Sequence, residues 1–270
     1  MTDREVTYIH GHHESVLRSH AWRTAQNSAA YLLPHLRPGL TLLDVGCGPG
    51  TITADLAALV APGRVVAVDK EPAILEQAAA HAADAGVGDR IEFAAADVHK
   101  LDFPDGTFDV VHAHQVLQHV TDPVGALREM RRVCKPGGIV AARDGDYSGF
   151  FWYPQLPELD AWLRLYLAVA RAGGGEPDAG RRLLAWAHEA GFEDVTASCA
   201  TWCYAGDRDR PWWAGLWADR VTKSQFAREA LDRGLATEAD LHALSKGWLA
   251  WGADPDGWLS IAHGEILCRA

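Results

Sequence analysis

A glycine-rich turn at residues 46–50 is the first part of the chain whose spacing suggests chemistry. It has the pattern G-x-G-x-G and follows an apolar run that begins at Leu42 and includes Asp44. Because glycine lacks Cβ, the main chain of such a turn can approach a ligand closely enough for direct N–H bonds. Thr51–Val60 predicts a helix, whose first N–H groups and dipole favour a carboxylate or phosphate. The pattern predicts a site for a nucleotide-like cofactor.

Two more acids end short apolar runs, as expected at the carboxyl ends of parallel strands. Asp69 ends the run 64–69, about twenty residues after the turn, where doubly wound sheets place a carboxylate on ribose hydroxyls. Asp97 follows the run 91–96 and could accept a bond from an adenine amino group, although a turn residue bonded to its own backbone is the alternative. The G-x-G-x-G spacing favours S-adenosylmethionine (SAM) over a dinucleotide, which prefers G-x-G-x-x-G.

Histidines near the N-terminus could remove a proton from a substrate. They precede a predicted helix that includes residues 22–33, and an unperturbed imidazole titrates near pH 6.5, close to neutrality. We expect the base to be His13, then His12, then His10. Structural or surface roles are the alternatives, and a metal site lacks the cysteines or carboxylates that would complete it. The sequence therefore predicts no metal.

A second polar cluster begins where the fourth predicted strand, 108–114, ends. We expect His114 and Gln115 to border the cofactor, and His119, on a short helix, to face the substrate as a further catalytic residue. Alternation puts His112 on the same side of the strand as His114, where filling a helix–sheet interface is the preferred interpretation. Four residues that follow the fifth strand are expected to form the opposite wall of the site and to orient a polar substrate group, with mutual salt bridges as the alternative: Arg143, Asp144, Asp146 and Tyr147.

Five motifs occur in one order along the chain: residues 44–50, 68–69, 96–98, 108–111 and 127–138. This order resembles the class I SAM-dependent methyltransferases, and most of all the branch that contains the ubiquinone and menaquinone C-methyltransferases. The resemblance covers about residues 8–140. It implies that the glycine turn holds the methionine moiety, Asp69 the ribose and Asp97 with Val98 the adenine, under a lid formed by the N-terminal segment. The cofactor residues expected are Tyr8, Asp44, Gly46, Cys47, Gly48, Gly50, Asp69, Lys70, Asp97, Val98, His114 and Gln115.

Alternating strands and helices in a chain of 270 residues with 48% hydrophobic content predict an α/β fold. We expect a doubly wound, mostly parallel seven-stranded sheet of the Rossmann-like methyltransferase type, with an N-terminal helical lid and an aromatic-rich helical cap. The expected parts of this single structural domain are a lid (1–35), a SAM-binding core (36–150), cap helices with remaining sheet elements (151–258) and a terminal strand (259–270).

Tryptophan is concentrated in the second half, with ten of eleven after residue 150. This bias predicts an aromatic cap suited to a flat apolar substrate, while ordinary helix packing is the alternative for any single tryptophan. The substrate residues expected are Arg143, Asp146, Tyr147, Trp152, Tyr153 and Trp213.

Charge and cysteine usage limit the partners. A net charge of −11 opposes nucleic-acid binding, no apolar run is long enough to span a bilayer, and the first residues lack a signal-peptide pattern. Five scattered cysteines suit free thiols in a reducing compartment, and Cys199 and Cys203 fit a strand better than a metal site. We expect a cytoplasmic protein, and a homodimer is compatible with the pattern.

The function expected is SAM-dependent methyl transfer to a small, largely apolar or aromatic metabolite, in small-molecule or secondary metabolism. S-adenosylhomocysteine (SAH) would be the product, and the sequence leaves O-, C-, N- and S-acceptors open. Two alternatives remain at this point. One is an NAD-linked oxidoreductase, and the other is a non-catalytic or repurposed SAM-binding protein.

Overall fold

The computed structural model describes residues 19–20 and 22–270. Four predicted site residues, Tyr8, His10, His12 and His13, lie outside these described residues. The chain divides into two compact units. The sheet unit includes His20–Asp144, Ala179–Ala200 and His263–Ala270, and the cap unit includes Gly145–Asp178 and Thr201–Ala262.

Within the described residues, nine α-helices and eight strands follow one another. In chain order they are α1 (Ala25–Ser28), β1 (Leu42–Val45), α2 (Thr51–Val60), β2 (Val65–Asp69), α3 (Pro72–Asp84), β3 (Ile91–Ala95), β4 (Phe108–His114), α4 (Pro123–Val133), β5 (Cys134–Gly145), β6 (Phe151–Tyr153), α5 (Pro157–Ala172), α6 (Leu183–Glu189), β7 (Val195–Tyr204), α7 (Asp209–Lys223), α8 (Gln225–Asp232), α9 (Glu238–Ala253) and β8 (Trp258–Arg269).

The sheet unit has the strand order β3-β2-β1-β4-β5-β8, and β7 also pairs with β8. The pairs among β1 to β5 are all parallel. Leu43 and Val111 pack in the core on one face of this sheet, and Leu42 and Val110 pack in the core on the other. Strands covered on both faces read as continuous apolar runs, which explains the sequence pattern. The order reverses between β1 and β4, where such folds bind ligands at the carboxyl ends of the strands.

The predicted helix before the first strand is wrong in its extent. The sequence predicts a helix through residues 22–33, but α1 ends at Ser28 and a separate 3₁₀ turn covers Leu33–His35. Asn27 accepts a hydrogen bond from the Ser28 hydroxyl at 2.7 Å, and such local side-chain bonds compete with helix continuation. Pro34 also lacks the N–H that a continuing helix would need.

The predicted fold class is confirmed, with one more strand than expected. The sequence predicts seven strands and assigns residues 151–153 to the cap. Instead, Phe151–Tyr153 forms β6 and pairs antiparallel with the first residues of β8, so that Tyr153 lies opposite Trp258. Aromatic side chains favour pleated backbone, which is consistent with a strand at this position.

The cap unit is built around an aromatic core. Tyr147 stacks on Tyr166 with ring centroids 3.8 Å apart. Trp162 meets Trp217 and Trp248 edge to face, at 4.6 and 4.8 Å. These three tryptophans are at most 1% exposed. Packing inside this unit therefore accounts for them, which is the alternative that the sequence left open for each tryptophan.

Two further predictions can be compared with the described residues. No helix in this part of the chain is long and apolar enough to cross a bilayer. All five cysteines fall within it and carry free thiols, and both Cys199 and Cys203 lie on β7, as their alternating pattern predicts.

Candidate functional site

The glycine turn lies between β1 and α2 and is tied to the end of β2. The N–H groups of Gly46 and Cys47 both donate to the Val68 carbonyl, at 2.7 and 3.0 Å. The Gly48 N–H donates to Asp69 Oδ2 at 3.0 Å, and the N–H of Glu71 donates to Asp69 Oδ1 at 3.0 Å. The turn and Asp69, which separate motifs predict, are therefore one hydrogen-bonded unit.

Glycine is required at two positions of this turn for reasons of space. Gly46 and Gly50 have φ angles of 66° and 79°, in the left-handed region that side chains rarely adopt. A Cβ on Gly46 would overlap the Val116 side chain, and a Cβ on Gly50 would lie 2.9 Å from the Cβ of Ala78. Gly48 is different, because among the described residues a Cβ there would meet only His20 Nδ1, at 4.0 Å. On the side of the described residues, the backbone at Gly48 is therefore open.

Asp44 lies in a buried polar triad below the turn. Its Oδ1 is 2.7 Å from His112 Nδ1, and its Oδ2 accepts a 2.5 Å hydrogen bond from the Thr53 hydroxyl. Asp44 is 3% exposed, and the other two residues are fully buried. The predicted interface role of His112 therefore includes a polar contact, and the triad joins β1, β4 and α2.

Asp97 follows β3 and is half exposed. Its Oδ1 accepts the His99 backbone N–H at 2.9 Å and lies 2.7 Å from His99 Nδ1. Burial raises the pKa of Asp97, but these bonds from His99 outweigh it, so the pKa lies below its usual value. Lys70 adds a nearby positive charge, and Val98 packs its side chain in the hydrophobic core. The site therefore keeps an ionised carboxylate at this strand end.

Gln115 follows β4 in a strained conformation. Its φ of 55° is the only positive value among the described non-glycine residues, and such strain is common at functional sites. Its Oε1 accepts a 2.6 Å bond from Arg23 Nη2, and its Nε2 lies 2.9 Å from His263 Nε2. A cation on one side and an imidazole on the other therefore fix the direction of the amide.

Of the two histidines that border this exit, His114 is buried and His119 is half-buried, and both are neutral at pH 7. Burial, with the nearby charge of Arg23, holds the pKa of His114 well below its usual value. The same two causes lower the pKa of His119 to about 3. His119 Nε2 is 2.9 Å from the side-chain amide of Gln118. In this arrangement His119 is a weak base.

Arg143, which the sequence predicts to contact substrate, lies in a buried ion pair. It is 1% exposed, and its Nε donates to Glu265 Oε1 at 3.1 Å. Glu265 Oε2 also accepts the Ser198 hydroxyl at 2.8 Å. Burial lowers the pKa of Arg143 to about 10, although the charge of Glu265 opposes this shift. The pair links β5, β7 and β8.

The other predicted substrate residues belong to the cap unit. Tyr147 and Trp152 both pack near Trp162, with ring centroids 6.5 and 6.4 Å from it. Trp213 stacks on Tyr204 at 4.3 Å. Asp146 is buried and donates its N–H to the Ala262 carbonyl, whereas Tyr153 is 60% exposed.

Several residues of the site were missed by sequence reasoning. His99 could have been found, because it comes two residues after the predicted adenine acid. Thr53 lies in the first turn of a helix that was predicted. Arg23 and His263 gave no local signal, since they lie 92 and 148 residues from Gln115.

Known proteins share this fold and these motifs. A family model described as a methyltransferase domain matches residues 43–142. The chain is 35% identical over 273 residues to an uncharacterized methyltransferase of Schizosaccharomyces pombe, a match that covers 98% of this chain and 97% of the relative. It is 42% identical over 104 residues to the ubiquinone/menaquinone biosynthesis C-methyltransferase of Hahella chejuensis, over 38% of this chain and 42% of that protein.

A solved structure of geranyl diphosphate methyltransferase in complex with SAM is similar in fold. It has a TM-score of 0.54 and 18% identity, and the match covers 95% of this chain and 89% of that one. The fold and the glycine-turn site define a class I, Rossmann-like methyltransferase. The chain belongs to the SAM-dependent methyltransferase family, as its motifs and its full-length fungal relative show.

Proposed function

We propose that this enzyme transfers the methyl group of SAM to a small, largely apolar or aromatic metabolite and releases SAH. The observation that carries the proposal is the bonded unit of glycine turn and Asp69, beside the second acid, Asp97. An adenosine with a zwitterionic tail needs a cradle of this kind, with acceptors for the ribose hydroxyls and the adenine amino group.

The residues of the sheet unit fit SAM. The open side of Gly48 leaves room for a ligand against the backbone, while Gly46 and Gly50 are closed from behind by their neighbours. Asp69 is held by two backbone N–H groups, so its carboxylate is oriented before any ligand arrives. We assign the methionine moiety to the turn, the ribose to Asp69 and the adenine to Asp97.

Asp44 has a different task in this proposal. Both of its oxygens already bond to Thr53 and His112, and the residue is almost fully buried. We therefore assign it to holding the turn in position. Gln115, with its amide held on both sides, is assigned to the edge of the site nearest the methyl group.

The bound cofactor supplies an electrophilic methyl group, and the protein supplies alignment. Holding the acceptor in line with that methyl group in a dry site can be worth roughly 7–11 kcal/mol. His114 and His119 are uncharged at pH 7 and orient by hydrogen bonding, since their lowered pKa values make them weak bases. A phenol, enol or thiol acceptor would lose its proton to His13, His12 or His10, which we keep as the proposed bases.

The cap unit supports an apolar or aromatic acceptor. Its exposed aromatic side chains include Phe151, Tyr153 and Trp258, which are 55, 60 and 36% exposed. Phe151 and Trp258 lie with their ring centroids 5.2 Å apart. Aromatic faces of this kind bind flat rings by stacking and apolar burial.

Calorimetry tests the cofactor assignment. We expect SAH to bind in the micromolar range and NAD to give no heat. Asp69→Asn should weaken SAH binding by about 10- to 100-fold, because it loses a charge-assisted acceptor. The control is Glu76→Gln, an exposed acid on α3. Binding of NAD in place of SAH would overturn the proposal.

Mass spectrometry tests the reaction. The protein is incubated with SAM that carries a labelled methyl group and with panels of phenols, enols, thiols and amines. We expect SAH and one labelled product class to form together. Binding of SAH without any product across the panels would favour the non-catalytic alternative.

A further inference from the structure

His99 bridges the proposed adenine acid to the start of a helix. Its Nδ1 lies 2.7 Å from Asp97 Oδ1, and its Nε2 lies 3.1 Å from the backbone carbonyl oxygen of Asp122. Asp122 is the N-cap of α4, where its side chain accepts the N–H of Gly125. One ring thus joins the loop after β3 to the first residue of α4.

Both partners of the ring are acceptors. A carboxylate oxygen and a carbonyl oxygen carry no hydrogen, so each bond requires an N–H on His99. A neutral imidazole has one N–H, and the imidazolium has two. Each bond of the bridge is therefore a donation from His99.

His99 also determines which oxygen of Asp97 is open. Both of its hydrogen bonds, from the backbone N–H and from the ring, go to Oδ1. Oδ2 has no hydrogen-bond partner among the described residues, and the Asp97 side chain is 47% exposed. A carboxylate held by one oxygen presents the other in a fixed direction.

We propose that His99 is a positioning residue of the adenine pocket: its backbone N–H and its ring hold Oδ1 of Asp97 so that Oδ2 accepts the adenine amino group. This rests on the proposed assignment of Asp97 to adenine. It adds that the selectivity for an amino group at this position depends on His99.

The test compares two ligands by calorimetry on the full chain. One is SAH, and the other is its inosine analogue, in which an oxygen replaces the adenine amino group and faces Oδ2 as an acceptor. We expect the wild type to bind SAH about 50-fold or more tightly than the analogue, since a site built to accept a bond from a donor discriminates against a ligand that lacks that donor. His99→Ala should reduce this preference to about fivefold or less. His81→Ala, an exposed histidine on α3, is the matched control.

Rescue by a second donor separates positioning from packing. His99→Arg keeps N–H donors for Asp97 Oδ1, so it should restore most of the preference for SAH over the inosine analogue. His99→Leu fills the space of the ring without a donor, so it should behave like His99→Ala.

The outcomes are distinct from those of the proposed function. If wild type binds no SAH, the cofactor assignment fails. If wild type binds SAH but His99→Ala keeps the full preference over the inosine analogue, the role of His99 is refuted. A His99→Leu variant that keeps the full preference refutes it as well.

Discussion

Asp144 is a fully buried acid near the end of β5, and its surroundings give a prediction that can be worked out. Its Oδ1 accepts the Gln118 N–H at 3.0 Å, while Oδ2 has no hydrogen-bond partner among the described residues. Burial raises its pKa from 3.8 to about 7, although hydrogen bonds from the backbone of Gln118 and Leu117 and the charge of Arg143 oppose the shift. We predict that Asp144→Asn stabilises the protein at alkaline pH.

The sign follows from linkage between protonation and folding. Because the folded-state pKa is above the unfolded value, the contribution of Asp144 to stability is complete below pH 3.8 and is lost as the pH rises through about 7. Each pH unit in this window changes the free energy of unfolding by about 1.36 kcal/mol. Asparagine has nearly the same shape, still accepts from Gln118 and carries no charge. The free energy of unfolding of the variant relative to wild type should therefore increase by about 3 kcal/mol between pH 5 and 8.

Urea unfolding at pH 5 and pH 8 measures this difference. The control is Asp84→Asn, an exposed acid at the end of α3, whose difference from wild type should be similar at both pH values. Other titrating groups cancel, because wild type and variant share them. A stability difference between Asp144→Asn and wild type that stays constant from pH 5 to 8 would refute the reasoning, as would one that becomes smaller at pH 8.

Three more substitutions test the packing and contacts of the sheet unit. Gly50→Ala should destabilise the protein by about 1–3 kcal/mol more than Gly86→Ala in urea unfolding. Gly86 has a similar φ of +71°, but none of the described atoms lies within 4 Å of an added Cβ there. Equal losses for the two variants would contradict the packing argument. His112→Phe should lower the free energy of unfolding by about 3–5 kcal/mol, because Oδ1 of the buried Asp44 loses its imidazole partner. A loss below about 1 kcal/mol in the same assay would contradict this. His263→Phe removes an acceptor from Gln115 and should lower kcat about tenfold in the labelled-methyl assay, with SAH affinity nearly unchanged; unchanged kcat would contradict a role for that contact.

The parts of the fold with strong local patterns could be predicted from the sequence. The bounds of α2 and β4 agree with prediction, because each follows a turn that contains glycine and then carries the apolar pattern of its element. The helix after residue 22 could not be predicted in length, since the competing bonds of Asn27 and Ser28 depend on side-chain geometry. β6 has three residues, too few to show a period, and it is a strand because β8 lies beside it.

The candidate site divides in the same way. The glycine turn, Asp69 and Asp97 are at strand ends, so a parallel sheet brings them together whatever else the chain does. Arg143 also lies near the end of a strand, but its environment depends on Glu265, which is 122 residues away in sequence. No local pattern indicates such a partner, so the buried ion pair could not be predicted, and substrate contact by Arg143 stays a prediction. Contacts between residues this far apart in sequence follow from the order of the strands in the sheet, which can be predicted only coarsely from the sequence.

The buried charges of the sheet unit are better explained by positioning than by stability. Asp44 lies opposite His112 in the β1–β4 register, and His114 lies opposite Arg143 in the β4–β5 register, so polar residues recur near the carboxyl ends of three adjacent strands. Apolar residues of similar size would often be as stable there, because burying charge is costly. Directional bonds, however, hold the turn and the β4 exit in one geometry. Methyl transfer depends on such alignment, and displacements of about 1 Å can cost 100-fold in rate. The bonds of Thr53 and His112 to Asp44 are an example, because they fix the end of the strand that the glycine turn follows.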